Sequence, residues 1–154
     1  MQKVMAVWTA AVIVLAWPVA MAAHHSLVKF DTTTPVWLKA TVVRFDRVNP
    51  HSRILVDQTK EDGHPQRWVV DGPAPNALAR MGIGEDFLKP GDAIEVCGFV
   101  TKEESLSATR PISGHLLVMP DGRRRFWSDY GVLQKCLKPG ESKETLREEA
   151  FGRR

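Results

Sequence analysis

Cysteine is scarce in this 154-residue chain, which carries only Cys97 and Cys136. They form no C-x-x-C, and no Cys/His pair stands at zinc-ligand spacing, so a structural zinc site is not expected. Charge of one sign is scarce too. Lys and Arg number 21 against 18 Asp and Glu, which supplies no broad cationic footprint for nucleic acid. No G-x-S-x-G elbow, H-E-x-x-H pair or P-loop occurs, so no known catalytic motif points to an enzyme. There is no internal repeat and no low-complexity block. Beyond residue 23, no apolar run approaches the roughly 18 residues of a membrane-spanning helix.

What is there begins with an uneven apolar distribution. Val4 to Trp17 is apolar except for Thr9, follows the single cation Lys3, and ends at Pro18 and the small-x-small run Ala20-Met21-Ala22. That order describes a secretory signal over residues 1–22 and a periplasmic address, with cleavage before Ala23 or His24. An uncleaved anchor is the alternative, because Val4 to Ala23 is long enough to span a bilayer. The short apolar core, the proline and the peptidase site favour cleavage. Cleavage leaves 132 residues with 20 bases and 18 acids, enough for one domain over 23–137 and a charged tail over 138–154. In an oxidising compartment, a Cys97–Cys136 disulfide is favoured over two buried thiols. It would close a loop of roughly 40 residues and stabilise by ~3–4 kcal/mol on the chain-entropy model.

Val36 to Val42 alternates apolar and polar residues, which predicts a half-buried strand with Val36, Leu38, Ala40 and Val42 on one face. Asn49-Pro50 is a turn signal, followed by strands at Arg53–Gln58 and Gln66–Val70 around an Asp62-Gly63 hairpin turn. Pro75 can open a short helix over Asn76–Met81, with Gly82 ending it. Ala93–Lys102 reads as a strand in which Gly98 marks a bulge or a tight bend, and Gly114–Met119 pairs with Arg124–Trp127 in a last hairpin across Pro120-Asp121-Gly122. From Lys138 the chain reads as charged and mobile, turning helical from Thr145 with Glu148 completing a capping box. Three strands, a short helix, then two or three strands is the order of the OB-fold, a small all-β barrel. A β-sandwich is the alternative and would lack the central helix.

Several short segments, taken together and in order, resemble the domain-of-unknown-function family 6152 of small exported bacterial proteins. They are His24-His25-Ser26, Asn49-Pro50-His51, Pro75-Asn76-Ala77-Leu78, Leu88-Lys89-Pro90-Gly91-Asp92 and Asp121-Gly122-Arg123. The likeness covers roughly Ala23 to Trp127. It departs at Met81-Gly82-Ile83-Gly84, where an aromatic is expected after the glycine, and at the cysteine pair and the tail. The resemblance implies export and a compact β fold, and no established activity.

Histidine placement is the sharpest chemical feature. Cleavage after Ala22 makes Ala23-His24-His25 the new terminus, whose amine, two backbone amides and His25 imidazole can wrap Cu(II) in a square plane. Cleavage one residue later makes the His24 amine and imidazole two arms of a copper chelate. His51, displayed on a loop at a strand end, is the candidate closing ligand, and the metal is held by His24 and His25 with or without it. The bland alternative is two adjacent histidines at a loose terminus. His64 reads as solvated and His115 as packed. Asp71 reads as a cap of the Gly72-Pro73 turn, and Arg123-Arg124-Arg125 as a solvated hairpin edge. The expectation is a non-enzymatic OB-like binding module, exported, holding copper or a similar divalent metal through Ala23, His24, His25 and His51. The runner-up is a metal-free module that binds a periplasmic protein or an oligosaccharide with its barrel face or its Trp127 edge. Neither nucleic acid nor, after cleavage, membrane is an expected partner.

Overall fold

The computed structural model describes residues 27–60, 63–103, 108–128 and 133–151. Strand β1 (Val36–Asp46) buries alternate residues through Val42 and continues to Asp46 past a bulge between Val42 and Arg44. It pairs antiparallel with β2 (Arg53–Thr59) on one side and β4 (Ala93–Val100) on the other, and β2 pairs with β3 (Pro65–Asp71). Strand β5 (Thr109–Val118) pairs antiparallel with β4 and parallel with β3, which closes a five-stranded barrel. Helix α1 (Pro75–Arg80) joins β3 to β4, the position expected in an OB-like barrel. Gly82, at φ 73°, ends it. The Ile83 and Gly82 amides donate to the Leu78 and Ala79 carbonyls, the paired bonds of a glycine-terminated helix.

The first half of β5 does not follow from local pattern. Thr109-Arg110-Pro111 lies in parallel register with Arg67-Trp68-Val69 of β3. Proline is disfavoured in strands because it donates no ladder bond, so this closing segment carries no local strand signal. Of the two expectations for Gly98, the bulge is present: the β4–β5 register shifts between Cys97 and Gly98. A Cβ on Gly98 would meet the Ser113 carbonyl oxygen at 2.2 Å.

Residues of β4 from Val96 to Phe99 and of β5 from Ile112 to Leu117 are buried without alternation. Both faces of these strands are covered. The interior face joins the barrel core, which includes Leu38, Val42, Ile54, Val56, Val70, Leu78, Ile94, Ile112 and Trp127. The outer face packs Cys97 and Leu116 against Leu133, Cys136 and Leu146 of the C-terminal segment. The Cys97–Cys136 disulfide ties that segment to β4.

The charged tail is therefore docked rather than loose. A 3₁₀ turn (Leu133–Cys136) leads to α2 (Lys143–Phe151), and Leu146 is fully buried. The helix cap is Ser142, whose Oγ accepts from the Thr145 amide at 3.1 Å, three residues ahead of the expected start. Strand β6 (Arg124–Phe126) extends the sheet from β5. Its Arg124 is no solvated edge cation: the guanidinium is gripped by Glu141 at 2.8 Å and Glu149 at 2.6 Å. These two carboxylates, with the hydrogen bonds they accept, hold Arg124 charged well above the ordinary guanidinium range.

Trp127, read from sequence as an exposed edge, lies wholly inside. Its indole N–H donates to the Asp71 carbonyl at 3.0 Å, and its ring meets Phe45 edge-on. The ring lies where a Cβ on Gly72 would fall, 2.4 Å away, and 2.7 Å from one on Gly114. Glycine at both positions makes room for the indole. We expect Gly72→Ala to destabilise the fold by about 2–4 kcal/mol, in the range for overpacked or strained core sites. A chemical-denaturation midpoint unchanged from wild type would contradict this packing. Replacing both cysteines by serine should cost about 3–4 kcal/mol on the chain-entropy model, measured the same way.

Candidate functional site

The last residue of β3, Asp71, and the residue after it, Gly72, offer their carbonyls to different partners. The Asp71 carbonyl turns inward to Trp127. The Gly72 carbonyl turns outward to His51, whose Nδ1 lies 3.1 Å away. A carbonyl only accepts, so Nδ1 carries the proton and donates. In the neutral imidazole this leaves the Nε2 lone pair unused by that bond. Backbone pairing holds the loop in place: the Ser52 amide donates to Pro73 and the Gly72 amide to Ser52, both at 3.0 Å.

His51 lines a cleft of about 110 Å³ together with Leu27, Lys29, Phe30, Arg53, Asp71, Gly72 and Ser113. The Asp71 carboxylate does not cap the following turn. It sits between two cations, 3.4 Å from Arg53 Nε and 3.9 Å from Lys29 Nζ. These pairs are part exposed and act mainly to orient side chains, since surface ion pairs stabilise little. One wall of the cleft is the N-terminal arm, residues 27–33. Phe30 is buried and bridges to Thr101, the Asp31 amide donates to the Val100 carbonyl at 2.8 Å, and the Lys102 amide donates to Lys29 at 3.0 Å. The arm thus brings Leu27 into the same cleft as His51.

Ala23, His24 and His25 lie outside the described residues, as does the expected signal segment. Among the described residues, no group of three or more His, Cys, Asp or Glu side chains is placed to hold a metal ion. No described helix is long and apolar enough to cross a membrane. His64 is exposed, as expected from its turn.

His115 packs, as expected, and does so within a polar chain that sequence reasoning missed. Ser128 Oγ donates to the Gly114 carbonyl at 2.9 Å and so accepts from His115 Nδ1, also at 2.9 Å. That leaves Nε2 to accept from Ser113 Oγ at 3.3 Å. The arrangement orders a hydroxyl, an imidazole and a second hydroxyl, as a nucleophile with its base would require. The imidazole, however, is fully buried and sits edge-on to Phe99. The Ser113 end of this chain also lines the His51 cleft. The signal that could have found it is the spacing of Ser113 and His115, two residues apart on one strand face.

The family model described as "Family of unknown function (DUF6152)" matches residues 11–110. The chain belongs to the DUF6152 family. No curated protein and no solved structure matches it. The DUF6152 match takes in His24, His25 and His51, along with the strands β1 to β4. Cys136 and the rest of the C-terminal layer lie beyond it.

Burial lowers the His115 pKa to about 4 from its ordinary 6.5. Because the folded-state value is the lower one, the unfolded chain takes up the proton first. Stability is full above about pH 6.5 and declines as pH falls toward 4, by about 3 kcal/mol from this residue. Urea midpoints across that window should show the decline in wild type and a flatter profile in His115→Gln. Identical profiles would assign the acid sensitivity elsewhere.

Proposed function

We propose that this member of the DUF6152 family is an exported copper-holding module, with the metal bound between the mature N-terminus and His51. The observation that carries the proposal is the His51–Gly72 hydrogen bond. Metal-binding histidines characteristically donate their second ring N–H to a carbonyl or carboxylate, which sets the tautomer and the ring orientation. His51 makes that bond through Nδ1 and keeps Nε2 for a metal. Reach supports the pairing. Leu27 lines the cleft, and His25 and His24 precede it by two and three residues, a span of roughly 7–11 Å when extended. The residues present fit a Cu(II) ion: a terminal amine, one or two imidazoles and backbone amides are suitable donors. Bound there, copper would be held by the amine and imidazole of a His24 terminus, two arms that leave room for a further donor, and closed by His51 Nε2, with the Asp71 carboxylate lining the same cleft.

Export enters this proposal through the Lys3, apolar and Ala20-Met21-Ala22 pattern of the first 22 residues. The barrel serves as a rigid frame that presents one fixed imidazole to a chelating terminus. Titration of the mature protein with Cu(II), followed by its visible d–d band, is expected to give one equivalent bound. His51→Ala should weaken binding by about 10-fold or more and shift the band, because one nitrogen donor is replaced by water. Binding that keeps its spectrum and affinity in His51→Ala would overturn the proposed closing ligand.

A further inference from the structure

The N-terminal arm is held from two directions, and only one of them is the barrel. Its bridge to the end of β4 supplies the first hold: Phe30 is buried against Thr101, with the flanking Asp31 and Lys102 amide bonds. The second comes from the C-terminal layer. Lys135 Nζ donates to the carbonyl of Thr32 and, at 3.2 Å, to that of Thr33. Those residues are about 100 positions apart in sequence, so chain connectivity alone does not bring them together. Asp31 completes the clasp: its carboxylate accepts from the Thr33 amide at 3.0 Å and from the Thr33 hydroxyl at 2.6 Å. This local turn aims the two carbonyls in sequence.

Lys135 is in turn held by its own anchors. It belongs to the 3₁₀ turn Leu133–Cys136, whose Leu133 is fully buried and whose Cys136 is bonded to Cys97 on β4. A lysine on a free terminus would lose much side-chain and backbone entropy on making these two bonds. On a turn already fixed by a disulfide, most of that cost is met in advance.

We infer that the disulfide-anchored turn Leu133–Cys136 is the dock that positions the N-terminal arm at the His51 cleft, with Lys135 as its positioning residue. The inference rests on the proposed copper site for what the arm delivers, and on the contacts above for the docking itself. Lys135 touches neither the metal nor His51. It acts by limiting where Leu27 and the residues before it can go, which raises the effective concentration of the terminal donors at His51 Nε2.

Two measurements on the full mature protein separate the dock from the metal. The first is limited trypsin cleavage after Lys29, followed by intact mass. The docked arm shields this bond, because the Lys29 carbonyl is hydrogen-bonded and Phe30 is buried. Lys135→Met should speed cleavage there about tenfold, and Cys97→Ser/Cys136→Ser should speed it at least as much. The second is Cu(II) affinity with and without His51→Ala in each background. In wild type His51→Ala weakens binding; in Lys135→Met that loss should shrink severalfold, since the arm no longer meets His51. Cleavage rates unchanged in both variants would overturn the dock, whatever the metal does. Faster cleavage with the full His51 contribution retained would overturn the positioning role. Faster cleavage with no His51 contribution even in wild type would overturn the copper site and leave the dock supported.

Discussion

The close approach of the Trp127 indole to Gly72 is the contact on which both the closed end of the barrel and the cleft outside it depend. Inside, the ring fills space bounded by Gly72, Gly114 and Phe45 and donates to the Asp71 carbonyl. The next carbonyl, that of Gly72, is bonded to His51. The core indole and the cleft imidazole are thus tied to consecutive residues. A side chain on Gly72 would have to displace the indole, and the imidazole's partner would move with it.

A second layer is built on the outer face of β4 and β5. Continuous burial along those strands follows from being covered on both sides, by the barrel core and by Leu133, Cys136 and Leu146. The disulfide holds this layer at its start, and the Arg124 clasp with Glu141 and Glu149 holds α2 at its end. A charged segment that could not bury itself by composition is retained by two leucines, one disulfide and one part-buried guanidinium. The layer also reaches the N-terminal arm, through the Lys135 bonds to the Thr32 and Thr33 carbonyls.

Much of this was legible from the sequence wherever the cause is local. The period-two alternation of Val36 to Val42, the Gly82 helix stop and the hairpin glycines are set by near neighbours and appear where expected. The barrel itself follows from three strands, a helix and further strands in that order. What was not legible is non-local. Thr109-Arg110-Pro111 becomes a strand only because β3 is there to pair with it, and a proline hides it from local pattern. Trp127 beside three arginines resembles an exposed edge until two distant glycines make room for it. Arg124 reads as a solvated cation until Glu141 and Glu149 arrive from a helix beyond the turn. At the candidate site, Asn49-Pro50 signals that His51 is displayed on a loop. Its partner, the Gly72 carbonyl, comes from another strand and cannot be inferred from spacing. Compartment and count point to a Cys97–Cys136 pair, and the structure joins them.

The proposed copper ion joins the mature N-terminus to His51. A crystal structure of the mature, Cu(II)-loaded protein, with anomalous diffraction recorded at the copper edge, tests it most directly. A single copper peak is expected about 2 Å from His51 Nε2 and from the nitrogen donors of the mature N-terminus. A peak remote from His51, or an occupied copper site that uses only one of the two partners, would contradict it.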